Sequence, residues 1–506
     1  MARRNIKAIA LGAAMSFALA GCVGGSSDTS ASGKSTTLTI GMANAPQSLA
    51  ANSTIGGGDL TYYTALYDSL LFLKPDGSPA PGLTDKWGYD DARTTLTLHL
   101  RPGVKFSNGH AFDATAAKAN LERNAKAGFN AVIASNFAGI QAKGSTTLVI
   151  TLKQPDPALL SQLAGPLAYM QDPATFDDPD AATKPVGTGP YVLDSTGTVV
   201  GNSYSYSHNP NYWNTAATEY KDVQIKVFTD ASAMTNAIKS GQIAAGQLLN
   251  PQQEMAQQAG WTVETQELDL AGLWLLDREG VITPALKDVR VRQAINLAIN
   301  RTALLKAGFS GKGTATAQLF SATDGSPLDP ALDTAWAYNP GKARKLLAAA
   351  GFAGGFDLTL PTLLDGKAVM AAVKQQLGAI GIRVHLKDAG AAAGIDVLAG
   401  KYAASYFGFE GGDPYITMQQ NLLPNGALNP FRVADPKMIK LVKAYADASD
   451  ADRAAALKAL NAYETEQAWI APWFRVQAPW ATDKSTSLQL TRGRSAPNIL
   501  NFAPKT

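Results

Sequence analysis

The feature that most constrains this chain is a repeated switch between two hydrophobic periods. Leu96, Leu98 and Leu100 alternate with Thr95, Thr97 and His99, and the same two-residue period returns at Leu148, Ile150 and Leu152 and at Val223, Ile225 and Val227. That is the pattern of strands with one buried face. Elsewhere the spacing is helical. Val291, Ala294, Ile295, Ala298 and Ile299 make an apolar stripe behind a capping Asp288. Asn339-Pro340 starts a second helix that buries Ala343, Leu346, Leu347 and Ala350 before Gly351 stops it. The stretch 436–468 reads as two helices broken near Ser449-Asp450. Both periods along one chain predict a mixed α/β architecture. No repeat of 20–50 residues is present, which excludes a solenoid or propeller.

At 506 residues the chain is long enough for two or three domains. With 46% hydrophobic residues it is not of the disordered class, and a single cysteine rules out a disulfide-stapled scaffold. Gly/Pro punctuation places one boundary at Lys184–Pro190 and composition places another near Leu268–Gly272.

The N-terminus speaks to location. Arg3, Arg4 and Lys7 precede an uncharged run from Ala8 to Ala20, too short for the roughly 20 residues that cross a bilayer. A signal peptide over 1–21 is expected, with ordinary and twin-arginine export both open. The run ends Leu19-Ala20-Gly21-Cys22, which resembles the lipobox of bacterial lipoproteins. The resemblance implies that Cys22 is lipidated and becomes the mature N-terminus, the competing reading being a chance cysteine after an ordinary signal. Residues 22–35 then form a lipidated flexible tether, and the protein sits on the outer face of the cell membrane. Gly33-Lys34-Ser35 has no preceding strand and is not a phosphate-binding loop. Removing the three leader cations leaves 41 basic against 41 acidic residues. That balance gives no reason to bind nucleic acid or a membrane face, so membrane attachment is expected through the lipid alone.

Catalytic motifs are missing. There is no His-Glu-x-x-His or Gly-x-Ser-x-Gly, and His99, His110, His208 and His385 are scattered without metal-ligand spacing. No catalytic residue, metal or cofactor is expected. One segment stands out: an aromatic run from Tyr402 to Phe409 leads into Glu410-Gly411-Gly412-Asp413-Pro414-Tyr415. If the run is a strand, Glu410 lies just past its carboxyl end, where α/β sheets bind ligands, and the glycines let backbone approach closely. The competing reading is a plain glycine-rich turn with solvated acids.

A series of motifs then resembles one family in order. It runs through Tyr67-Asp68-Ser69-Leu70-Leu71, Pro75-Asp76-Gly77, Leu98–Gly109, Val186–Tyr191, Asn209–Trp213, Asp288–Ala294 and Tyr338–Leu347. The chain resembles the extracellular solute-binding proteins, family 5, the oligopeptide, dipeptide and nickel-binding group of ABC importers. The resemblance implies a two-lobed, periplasmic-binding-protein-like α/β fold (type II, large form) with an extra subdomain. Lobe I would comprise 36–66, 187–267 and 476–506, the inserted subdomain 67–186, and lobe II 268–475. It implies a monomer that is not an enzyme and that closes around a small ligand, with permease and ATPase as separate chains.

For the ligand site, the resemblance implies that Glu410 meets a peptide α-ammonium beside the Phe407 ring, with Asp413 close by. Trp274 either lines the cleft or packs in the core. Arg290 and Arg292 are expected to form ion pairs within their lobe. Three departures qualify the match: Glu410 where aspartate is usual, Asp277 where asparagine is usual, and a short Pro361–Val369 segment offering only Lys367 for a ligand carboxylate. These favour a peptide longer than two residues. A metal–chelator complex, an oligosaccharide or another amine-bearing solute are the alternatives, and a lipid-anchored hydrolase or a sensor of peptide signals would be different classes.

Overall fold

The computed structural model describes residues 36–54, 57–126, 130–249, 252–320, 329–362, 367–390 and 393–505. The leader, Cys22 and the tether lie outside the described residues, as does the Lys367 side chain.

Among the described residues, nine strands share one sheet. Its spatial order is Ala404–Glu410, Thr262–Leu275, Ile470–Thr482, Ala245–Gln247, Thr37–Met42, Asp222–Val227, Ser203–His208 and Tyr191–Leu193, with Gly313–Ala315 also paired to Ile470–Thr482. Thr37–Met42 runs parallel to both of its neighbours. The two longest strands lie antiparallel in a register from Thr262↔Thr482 to Trp274↔Ile470, with irregularities at Glu267/Asp269 and Ala271/Gly272. The boundary expected near Leu268–Gly272 therefore falls inside a continuous strand, and what changes there is the ladder.

Among the described residues the buried apolar side chains fall into five clusters, three of which frame the site. The first gathers Tyr62, Tyr63, Tyr67, Tyr204 and Tyr206 with Leu38, Ile40 and Ile225. The second draws on residues 70–170. There Leu96, Leu98, Leu148 and Ile150, all with no exposed surface, pack against Ala117 and Leu121 of the Ala114–Asn124 helix. Their alternation is what lets one face of a separate four-stranded sheet be covered by that helix. The third core lies on the far side of the long strands and contains Leu273, Leu275, Ile295, Leu347, Val373 and Trp473.

Local signals operate as their chemistry requires. Asp288 accepts the Arg290 N–H at 2.8 Å and caps Val289–Leu297; Asn339 accepts the Lys342 N–H at 2.9 Å and caps Pro340–Ala349. Gly351 follows with φ +88°, a conformation open to glycine. The helices Pro436–Asp447 and Arg453–Gln467 are separated at Ser449, whose hydroxyl bonds Asp452. Arg290 pairs with Asp288 at 2.6 Å. Arg292 departs from the expected ion pair: its guanidinium donates to the carbonyls of Gln467, Leu286 and Lys287, tying its helix to the end of the Arg453–Gln467 helix and to the short 3-10 helix Pro284–Lys287.

Candidate binding cleft

A cavity of about 1180 Å³ opens where the three regions meet. The first lobe contributes Gly57, Gln247, Gln477 and the turn Arg492-Gly493-Arg494-Ser495. Residues of the second core contribute Asp76, Ser161, Gln162 and Leu167, and the far lobe contributes Phe407, Glu410, Asp413, Thr417 and Gln420. The volume exceeds the roughly 300–1,000 Å³ usual for small-molecule sites. Apolar side chains and neutral amides dominate the wall, and the charges are few: Asp76, Glu410, Asp413, Arg492 and Arg494.

Glu410 is the last residue of the Ala404–Glu410 strand, opposite Asp269. Its Oε1 accepts the Ser495 N–H at 2.7 Å, so the carboxylate ties the strand end to the Arg492–Ser495 turn. Two residues on, Gly412 lies against Gly493: a Cβ on Gly412 would sit 3.3 Å from the Gly493 oxygen. The close approach that these glycines permit is thus to another segment of the same chain. Gly493 has φ +79°, which turns the C-terminal segment toward the strand end.

Asp413 caps the Pro414–Asn421 helix, its Oδ1 accepting the Tyr415 N–H at 2.8 Å. Its Oδ2 accepts the Ser161 hydroxyl at 3.3 Å, across the cleft. Burial pushes the Asp413 carboxyl above the ordinary carboxylate range. Phe407 borders the cavity, with its ring edge-on to Trp274 at 5.5 Å. Of the two positions open to Trp274, the structure shows the core one. The residue is fully buried among Leu270, Phe320, Tyr415 and Met418, and its Nε1 donates to Asn421 Oδ1 at 2.7 Å. It lies on an inner strand with the Pro414–Asn421 helix over it, so it backs Phe407 and leaves the wall to that ring. Asp277 is likewise internal, accepting the N–H groups of Val281, Ile282 and Thr283, each at 2.7 Å.

Two features escaped the sequence reading. One is the Arg492–Ser495 turn. The other is a buried chain in which Gln162 Nε2 donates to Gln419 Oε1 and Gln419 Nε2 donates to Asp156 Oδ2, both at 3.2 Å. Burial, with the Asp413 charge adding to it, pushes Asp156 up to about 7. Nothing local distinguishes these residues, because each acquires its role from a segment far away in the chain. Among the described residues, no group of three or more histidine, cysteine, aspartate or glutamate side chains could hold a metal. Nor is any helix among them long and apolar enough to cross a membrane.

Residues 78–427 match the bacterial extracellular solute-binding proteins, family 5 Middle. The chain belongs to this family. The glutathione-binding protein GsiB of Salmonella paratyphi A is 31% identical over 347 residues, 64% of this chain and 64% of that protein. The match thus spans less than two thirds of the relative's length. Among solved structures, the binding protein AgaA of A. tumefaciens R10, in complex with agropinic acid, superposes with a TM-score of 0.82 at 22% identity, covering 93% of this chain and 99% of that one. The periplasmic binding protein DppA of Helicobacter pylori, in complex with the peptide STSA, gives a TM-score of 0.80 at 19% identity over 93% and 98%. The family 5 chain described here has the two-lobed α/β fold of these periplasmic binding proteins.

Proposed function

We propose that this protein is the substrate-binding lipoprotein of an ABC importer, that its ligand is a short peptide, and that it transfers the ligand without altering it. The observation that carries the reading is the interlobe cleft, with Glu410 at its strand end beside Phe407. A buried ammonium needs an anionic partner, and Glu410 is a carboxylate of the wall whose Oε1 is held by the Ser495 N–H of the facing turn. The neutral amides Gln247, Gln420 and Gln477 suit a peptide backbone, which offers both donors and acceptors.

Transport then follows from differential affinity. A ligand touching both lobes favours the closed form by the difference between its affinities for closed and open states. A membrane permease, with its ATPase, reads the closed form and takes the ligand; both are separate chains. Cys22 anchors the protein to the outer face of the membrane through its lipid, and a Cys22→Ala variant is expected in the soluble fraction after a salt wash.

Native mass spectrometry tests the ligand on the unit Thr36–Thr506, which is compact by itself. Purified without refolding, it is expected to carry extra mass that leaves on denaturation and fragments as peptides. A single non-peptide mass would remove the peptide and leave the importer reading in place.

A further inference from the structure

A buried oxygen at the cleft wall has nothing to accept. Of the buried side-chain nitrogens and oxygens without a hydrogen-bond partner among the described residues, Gln162 Oε1 is the one on a residue that borders the cavity. Gln162 is 4% exposed. Its oxygen has almost no contact with solvent, so pairing it with a ligand donor strips no hydration from it. An acceptor left unmet in that state is costly, and a donor that reaches it removes the penalty.

What makes the oxygen the free end lies two side chains away. Asp156 Oδ1 accepts the Ala158 N–H at 2.9 Å, and its Oδ2 accepts Gln419 Nε2 at 3.2 Å. An ionised carboxylate only accepts, so Gln419 must turn its NH2 group to Asp156 and its Oε1 the other way. That Oε1 accepts Gln162 Nε2 at 3.2 Å, which leaves the Gln162 oxygen over. Each amide is oriented by the one before it, and the order begins at the acid. Gln419 stands on the Pro414–Asn421 helix, so this chain exists only where that helix packs between Asp156 and Gln162.

Started from a neutral group, the chain reverses. With Oδ1 kept on the Ala158 N–H, a protonated Asp156, or an asparagine in its place, has a donor at the other end. That donor meets Gln419 Oε1, Gln419 Nε2 then meets Gln162 Oε1, and Gln162 Nε2 becomes the free end. The wall changes from acceptor to donor with no change of shape.

We infer that Gln162 is a ligand-contacting residue of the cleft that selects a hydrogen-bond donor, a peptide N–H, and that Asp156 is a positioning residue that sets this preference through Gln419. This deepens the peptide reading above and rests on it. The reversal falls near neutral pH, because burial, with the Asp413 charge adding to it, pushes Asp156 up to about 7. Tyr415 and Tyr89 also face Asp156, as does the Asn136 amide. Arg453 acts on Asp413, and Arg494 donates to the Ser161 carbonyl. Above about 7 the free end is thus the acceptor, and below it the donor.

The test is a ratio. Native mass spectrometry reads the binding of a pool of tri- to pentapeptides against the same pool with backbone amides replaced by esters, which lose the N–H and keep the shape. At about pH 8 the wild type is expected to prefer amides, and Gln162→Met and Asp156→Asn each to cut that preference about fivefold or more. At about pH 5.5 the wild type should match Asp156→Asn, whose own ratio should not change between the two conditions. Comparing the pools at one pH cancels any change in the charge of the peptides. An Asp156→Asn or Gln162→Met protein with the wild-type ratio overturns the inference and leaves the peptide reading intact. If Asp156→Asn fails to fold, the wild type decides: equal ratios in the two conditions overturn the inference. A wild type that takes up neither pool overturns the peptide reading, and the inference falls with it.

Discussion

The residues between 67 and 186 meet the rest of the molecule along two seams of different construction. Toward the first lobe the seam is backbone and buried charge. Ser107 N–H bonds Gly187 O at 2.9 Å, Leu49 N–H bonds Ala182 O at 3.2 Å, and Thr188 N–H bonds Met170 O at 3.3 Å. The Asp68 carboxylate, almost fully buried, accepts Trp213 Nε1 at 2.7 Å and the Tyr212 hydroxyl at 3.3 Å. Toward the second lobe the seam consists of side chains: Ser161 to Asp413, Gln162 to Gln419, Gln419 to Asp156 and Asn425 to Ser135, at 3.1–3.3 Å. Among the described residues no backbone hydrogen bond crosses it. Side-chain bonds of this kind part by rotamer changes and a shell of water, each at a net cost of about 1 kcal/mol. Parting either seam would expose a buried carboxylate, Asp68 in one and Asp156 in the other, but the first would also unpair backbone. The difference is between a seam held by main chain and one held by side chains alone.

The largest effect is expected at the main-chain seam. A Cβ on Gly189 would stand 2.3 Å from the Leu66 carbonyl carbon and 2.5 Å from the Tyr67 nitrogen, and backbone cannot yield as a side chain can. Gly189→Val should cost about 3 kcal/mol or more in urea unfolding. A near-neutral result would show that this seam is looser than its geometry.

The next effect separates the seams by pH. Burial raises both Asp68 and Asp156 from 3.8 to about 7. Between those limits the folded chain binds more protons than the unfolded one, so stability is greatest at the acidic end and falls as pH rises through about 7. The expected loss is roughly 1–3 kcal/mol across the window, read from unfolding curves at stepped pH. Asp156→Asn should flatten part of that slope and leave the Asp68 share. A flat profile would mean that both acids are as well solvated folded as unfolded, and a slope of opposite sign that their charged forms are favoured by the fold.

Glu410 tests the cleft from the ligand side. Glu410→Ala should weaken ligand binding by about tenfold or more in calorimetry, with the unfolding midpoint unchanged. Equal affinity would remove Glu410 from the site. The smallest expected effect is at Ser161. Ser161→Ala should cost about 1 kcal/mol or less in stability, yet spin labels on the two lobes should report a larger open population. If the distance distribution stays the same, this seam does not govern opening.

Much of the fold was legible because its signals are local. The leucines at 96, 98 and 100 needed only a partner face, and Asp288 and Asn339 cap helices with donors two or three residues away. Glu410 at a strand end was legible for the same reason, since an aromatic run and a pair of glycines announce where a strand stops. The lobe boundaries were less so. The change at Leu268–Gly272 was visible, but that it is a bulge within a strand depends on the register against Ile470–Thr482.

By itself, the sequence determined the element types, the caps, the α/β class and the family, all of which depend on residues close together or on motifs in order. Only the tertiary structure decided that Trp274 packs in the core, that Arg494 faces the cavity and that Ser161 meets Asp413. The physical reason is range. A side chain's burial and partners are set by whichever distant segment packs against it, and 252 positions separate Ser161 from Asp413.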